Sequence, residues 1–158
     1  MRRKDREVTD SNSLNRMLFA CDTLRIGIMG DPYPYIVPVS FGMEVAEDGI
    51  PVLYVHSSKE GEKVNRLRAH PEVCIEADQF LGVEKTAAGI TARYESIIGY
   101  GKCAFVSDPE EAEKGLRLIV AHYGFPDYPM DRCKGFSRVL ILRIKLNSLC
   151  GKRNSAAG

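Results

Sequence analysis

Tyr35-Ile36-Val37-Pro38-Val39-Ser40-Phe41-Gly42-Met43-Glu44-Val45 carries the clearest strand pattern in the chain. Tyr35, Val37, Val39, Phe41, Met43 and Val45 alternate with Ile36, Pro38, Ser40, Gly42 and Glu44, the period-two signature of a strand with one buried face. Proline cannot donate to a ladder, so Pro38 predicts an edge strand or a bulge, with nearby backbone amides and carbonyls open to a ligand, a loop or a partner subunit. Glu47-Asp48-Gly49 is hairpin-turn chemistry, and Val52-Leu53-Tyr54-Val55 is the returning strand. Upstream, 23–29 reads as a strand with Leu24, Ile26 and Ile28 on one face, ended by the turn residues Gly30-Asp31-Pro32. An antiparallel meander is therefore visible within the first third of the chain.

Working outward, Asp10 is placed to cap a helix whose stripe is Leu14, Met17, Leu18 and Cys21. Downstream, 61–70 reads as a short helix with Val64 and Leu67 inward, stopped by Pro71. A strand is expected over 73–77 and a loop over 79–90. The next strand, 94–106, is interrupted by Gly99 and Gly101, which predicts a bulge or bend. Asp108-Pro109-Glu110-Glu111 opens a helix with a cap, a proline at its first position and acids in its first turn. Its stripe is Ala112, Leu116, Ile119, Val120 and Tyr123; His122 falls off that stripe and is expected to be exposed. A loop over 125–135 precedes the last strand, 137–146, with Leu140, Leu142, Ile144 and Leu146 on one face and Val139, Ile141, Arg143 and Lys145 on the other. The end, 151–158, is small and polar, with 154–158 expected to be a disordered tail. About six strands and three helices, without βαβ alternation, predict a mainly β fold: one antiparallel barrel domain over 1–153 with peripheral helices.

The balance of 22 basic against 21 acidic residues, a formal +1, gives no electrostatic case for a nucleic-acid binder. No apolar run approaches a membrane span and no signal-peptide core follows the basic start, so a cytoplasmic protein without membrane partners is expected. The five cysteines show no paired spacing and the three histidines are scattered, which argues against a disulfide framework or a metal site.

Three stretches could carry chemistry. His56-Ser57-Ser58-Lys59-Glu60-Gly61-Glu62-Lys63 joins a strand to a helix start. Its hydroxyls, ammonium groups and free amides suit a phosphate, and Gly61 lets the backbone come close. The same residues also read as an ordinary solvated, capped turn. The open edge at Tyr35, Ile36, Val37, Pro38 and Val39 could serve a flavin ring, which needs donors for its carbonyls and N5 and an acceptor for N3–H. Tyr94, Ser96 and Gly99 lie on a strand whose polar side chains could face a site or solvent. Arg66, Arg68, Lys152 and Arg153 read as solvated charges.

Taken together, Pro34 to Phe41, then His56-Ser57 with Gly61 and Lys63, then Tyr94 to Gly101, resemble the pyridoxamine 5′-phosphate oxidase-like, FMN-binding split-barrel superfamily, and within it the nitroimidazole-resistance (Nim) related branch. The opening Arg2-Arg3-Lys4-Asp5-Arg6-Glu7 is similar too, and the resemblance spans nearly the whole chain. It implies a split β-barrel of antiparallel Greek-key type. It also implies a homodimer with a flavin at the subunit interface, FMN along the Tyr35–Val39 strand and its phosphate near Ser57, Gly61 and Lys63. His56 lies in the motif that reaches the flavin in similar proteins and is the catalytic candidate. The partner's Tyr94–Gly99 strand would close the pocket. The function implied is an FMN-dependent oxidoreductase acting on a small aromatic acceptor such as a nitroimidazole, with NADH or NADPH as donor. The alternatives are a non-catalytic flavin-binding or redox-sensing module and a haem- or bilin-handling relative. Further substrate-phosphate residues of the oxidase itself have no match here.

Overall fold

The computed structural model describes residues 2–154 except 88, 134, 136 and 137. Its elements are β1 (Glu7–Val8), α1 (Ser11–Phe19), β2 (Leu24–Ile28), β3 (Tyr35–Val39), β4 (Phe41–Val45), β5 (Pro51–Ser58), α2 (Glu62–Ala69), β6 (Glu72–Thr86), β7 (Gly89–Phe105), α3 (Pro109–His122) and β8 (Val139–Asn154). The strand order is β3-β2-β6-β7-β8-β5-β4, with β1 paired to β8, and every pairing is antiparallel.

The two ends of that order, β3 and β4, are separated in sequence by Ser40 alone. The sheet must therefore curl until its edges meet at one residue, although they are not hydrogen-bonded to each other. The result is a split antiparallel barrel, with the non-sequential neighbours β2·β6 and β5·β8 as its Greek-key crossovers. The single long strand expected over 35–45 is thus two strands. A one-residue bend leaves the inward alternation intact, so Tyr35, Val37, Val39, Phe41 and Met43 still face inward. Val45 is the exception and is exposed.

The barrel is filled by Leu24, Ile26 and Ile28 of β2, Val73, Ile75 and Ala77 of β6, Leu53 and Val55 of β5, and Leu142, Ile144 and Leu146 of β8. α1 adds Leu14, Met17 and Leu18, and α2 adds Leu67. α3 lies on the outside, where Leu116 and Ile119 pack on Tyr54 and Ile141. The cap signals act as read: Asp10 accepts from the Ser13 amide, and Asp108 accepts from the amides of Glu110 and Glu111. Asp108→Ala is expected to cost about 1 kcal/mol of unfolding free energy in a urea titration, the usual worth of an N-cap.

Three expectations are corrected. The loop expected over 79–90 is a hairpin: β6 and β7 pair out to Thr86↔Gly89, with one register shift between Phe80 and Gly82. The strand expected over 137–146 runs on through Gly151 to Asn154, whose amide donates to Thr91 Oγ1; residues 155–158 lie outside those described. His122 is half-buried rather than exposed, with its Nε2 2.9 Å from the Cys21 carbonyl. The bulge expected in the glycine-containing strand is present between Tyr100 and Gly101 of β7. All five cysteines are free. Among the described residues, no helix is long and apolar enough to cross a membrane.

Candidate functional site

β5 extends further than the sequence suggests, through His56 and Ser57 to Ser58. Its alternation divides the quoted stretch between two environments. His56 and Ser58 point outward and are exposed, whereas Ser57 points into the barrel and is 4% exposed. The buried Ser57 Oγ has no hydrogen-bond partner among the described residues. An orphaned buried hydroxyl costs of the order of 1–3 kcal/mol.

The chain then turns over Lys59–Gly61. Ser58 Oγ donates to the Glu60 carbonyl at 2.5 Å. Gly61 has φ +126°, a conformation that strains any side-chain-bearing residue. No side chain caps α2, so the amides of its first turn remain available at the positive end of the helix. Lys63 sits in that turn. Its half-buried ammonium is pushed below the usual lysine range by burial, partly opposed by the neighbouring Cys103 thiol, which burial in turn pushes up to about 12. No carboxylate pairs with Lys63 among the described residues. A partly desolvated cation without an anion is unfavourable, and an incoming anion would relieve it. An unpaired, half-buried ammonium beside an uncapped helix start suits a phosphomonoester, whereas the orphaned Ser57 hydroxyl is enclosed in the barrel, in the strand that leads into that helix.

Arg66 follows Lys63 by one helical turn, on the same face. Its guanidinium lies over the Tyr35 ring at 5.3 Å, pairs with Glu62 at 2.5 Å and reaches toward the Met29 carbonyl at 3.5 Å. Arg68 lies 5.7 Å from the Phe105 ring. Arg66 is therefore packed rather than merely solvated, whereas Arg68 remains exposed. Arg66 is a further cation beside the candidate site, and its i+3 spacing from Lys63 is the signal of it in the sequence.

β3 pairs only with β2, so one edge of its backbone from Tyr35 to Val39 is free. Pro38 lies in this edge strand, as its missing amide requires. Ile36 and Pro38 face outward, and Tyr35, Val37 and Val39 face inward. Arg66 of α2 thus stands at the Tyr35 end of the open edge, with Lys63 one helical turn before it.

The remaining expected residues lie elsewhere in the same chain. Following the pairings Tyr35↔Ile28, Ile28↔Val73 and Val73↔Gly101 across the sheet, the row of Tyr35 reaches β7 at Gly101. Tyr94 is seven residues further along, about 23 Å at 3.3 Å per residue. Tyr94 and Ser96 are half-buried on the outer face. The Lys152 ammonium and, after it, Arg6 pull the Tyr94 phenol below its usual range. Gly99 faces the core, where a Cβ would stand 3.0 Å from both Ile75 and Leu149. Close packing therefore accounts for that glycine.

A cleft of about 630 Å³ lies on the opposite side, between α3 and the outer faces of β4, β5 and β8. Four of its charges are engaged in pairs: Lys114 with Glu44 at 2.6 Å and Arg143 with Glu111 at 2.8 Å, with the buried Tyr54 hydroxyl 3.1 and 3.3 Å from the same two carboxylates. That internal satisfaction marks a clamp for α3, and none of the candidate residues lines it.

A family model described as pyridoxamine 5′-phosphate oxidase matches residues 10–153. Among solved structures, a candidate 5-nitroimidazole antibiotic resistance protein from Bacteroides thetaiotaomicron is 26% identical, with a TM-score of 0.82 over 93% of this chain and 86% of that one. The flavocytochrome Anf3 from Azotobacter vinelandii is 19% identical, with a TM-score of 0.80 over 99% of this chain and 72% of that one. An FAD-binding protein from Mesorhizobium loti is 19% identical, with a TM-score of 0.68 over 95% of this chain and 98% of that one. The latter two likenesses concern the fold alone. No match occurs among curated protein sequences.

Proposed function

The chain belongs to the pyridoxamine 5′-phosphate oxidase family, and from that premise we propose that it is an FMN-binding oxidoreductase that reduces a small aromatic acceptor such as a nitroimidazole. The observation that carries the cofactor assignment is the unpaired Lys63 ammonium beside an uncapped helix start, with the orphaned Ser57 hydroxyl in the strand that leads into it. In this reading Ser57, Gly61, Lys63 and the amides of α2 hold the phosphate, and Arg66 fixes Tyr35 at the end of the ring site. The free edge of β3 offers its backbone donors and acceptors to the isoalloxazine. Bound there, FMN would supply hydride or electron transfer to the acceptor. His56, exposed on the outer face of β5, is assigned to hydrogen-bond or protonate that acceptor through its imidazole.

The likeness to the Bacteroides protein supports the choice of acceptor class, since that protein is described as a candidate in nitroimidazole resistance. A homodimer with the flavin between subunits is part of the same reading. It is supported by the outer face of the sheet, where Ile36, Ile98 and Tyr100 are exposed, continuing onto the β6–β7 hairpin with Phe80, Val83 and Ile90. Exposed apolar side chains grouped on one face, around the Arg25–Glu76–Asp78 ion cluster, suit an interface between copies. In this reading a second copy brings its Tyr94–Gly99 strand to close the pocket.

The turnover test is anaerobic reconstitution with FMN. NADH or NADPH is expected to abolish the flavin absorption band and a nitroimidazole to restore it. Tight FMN binding without turnover by any donor would instead leave a flavin-binding module.

A further inference from the structure

The seam of the barrel, where β3 ends and β4 begins, is held by the C-terminal end of α3. The last β2–β3 pair is Leu24↔Val39, and the first β4–β5 pair is Phe41↔Val55. Between them only the exposed Ser40 sets the angle. One hydroxyl spans the gap: the Phe41 amide donates to Tyr123 Oη at 3.3 Å, and the Tyr123 O–H donates to the Asp22 carbonyl at 2.6 Å. The Tyr123 oxygen thereby ties the entry to β2 to the first residue of β4.

Neighbouring contacts keep that oxygen in place. His122 Nε2 lies 2.9 Å from the Cys21 carbonyl, and its ring packs on Phe19 and Phe41 at 5.1 and 4.4 Å between centroids. Gly42 lets β4 touch the α3 backbone, since a Cβ there would meet Leu118 and Ile119 at 2.3–2.6 Å. β4 is thus fixed from two sides, whereas β3 is paired only with β2.

We propose that Tyr123 is a positioning residue: by fixing the bend at Ser40 it aims the free edge of β3 at the flavin. The cofactor part of this statement rests on the FMN reading above. Two measurements separate the two claims. The first is hydrogen exchange of the β3 amides without flavin, which does not depend on any ligand. Tyr123→Phe, which keeps the ring and removes the hydroxyl, is expected to speed exchange across Tyr35–Val39 about tenfold, the worth of one hydrogen bond. Ser40→Gly, which frees the bend without touching α3, is expected to act in the same direction. Leu116→Ala loosens the same helix at its apolar contact and is expected to lower the melting temperature while leaving β3 exchange relative to the rest of the sheet unchanged.

The second measurement is FMN titration at a temperature where all variants are folded. Tyr123→Phe and Ser40→Gly are expected to weaken FMN about tenfold, and Leu116→Ala hardly at all. Unchanged β3 exchange in both Tyr123→Phe and Ser40→Gly overturns the proposal. So does a Leu116→Ala effect on β3 as large as theirs, because general loosening would then explain the result. Absence of FMN binding by the unmodified protein overturns the cofactor reading, while the exchange result still decides the role of Tyr123 at the seam.

Discussion

Lys63→Ala is expected to raise the dissociation constant for FMN by about ten- to a hundredfold, the worth of one hydrogen bond from a charged group. The ammonium is half-buried, displaced by burial toward its neutral form and without a carboxylate partner among the described residues. It is therefore not replacing a bond already made within the protein. Removing it also removes an unfavourable burial from the flavin-free chain, so the protein should remain folded and any loss should appear in retention. His56→Ala is expected to show the opposite profile, with retention nearly unchanged and turnover reduced. The alternation of β5 puts His56 outside the barrel and Ser57 inside it, so the proposed function assigns phosphate binding and acceptor chemistry to opposite faces of one strand. Equal effects of the two substitutions on retention would show that this division is wrong.

Tyr100→Asp is expected to weaken self-association about a hundredfold or more and to lower FMN retention with it. Tyr100 is 56% exposed and points outward beside Ile98 and Cys150 of the neighbouring row. The single chain thus tolerates aspartate there, and its melting temperature should change little. At an interface between copies the same carboxylate would be stripped of water twice, once in each subunit, at a cost of several kcal/mol. Sedimentation velocity reads the association and flavin fluorescence reads the retention. An unchanged sedimentation coefficient would move the interface off this face.

The parts of the fold that were legible in the sequence are those with one dry face. β2, β4 and β8 alternate because half of their side chains enter the barrel, and α1 and α3 announce themselves through Asp10, Asp108 and their stripes. The β6–β7 hairpin was read as a loop for the complementary reason. Phe80, Val83 and Ile90 are all exposed in the single chain, Gly82 and Gly89 interrupt the run, and no buried face imposes a period. The division at Ser40 was hidden because one exposed residue does not disturb the alternation. What changes there is the neighbouring strand, which lies far away in sequence.

The candidate site was legible in its chemistry but not in its arrangement. The side chains of Ser57 and Lys63 suggest a phosphate, yet the buried, unpartnered state of Ser57 Oγ emerges only in the folded barrel. Arg66 was passed over because a cation on a polar helix face looks solvated until the Tyr35 ring is placed beneath it. His122 was misplaced because its carbonyl partner lies 101 residues away.

The most direct measurement is native mass spectrometry of the protein after incubation with FMN and removal of the excess. The expected species is two chains with two FMN. A single chain retaining one FMN would contradict the shared interface site, and a flavin-free protein would contradict the cofactor assignment itself.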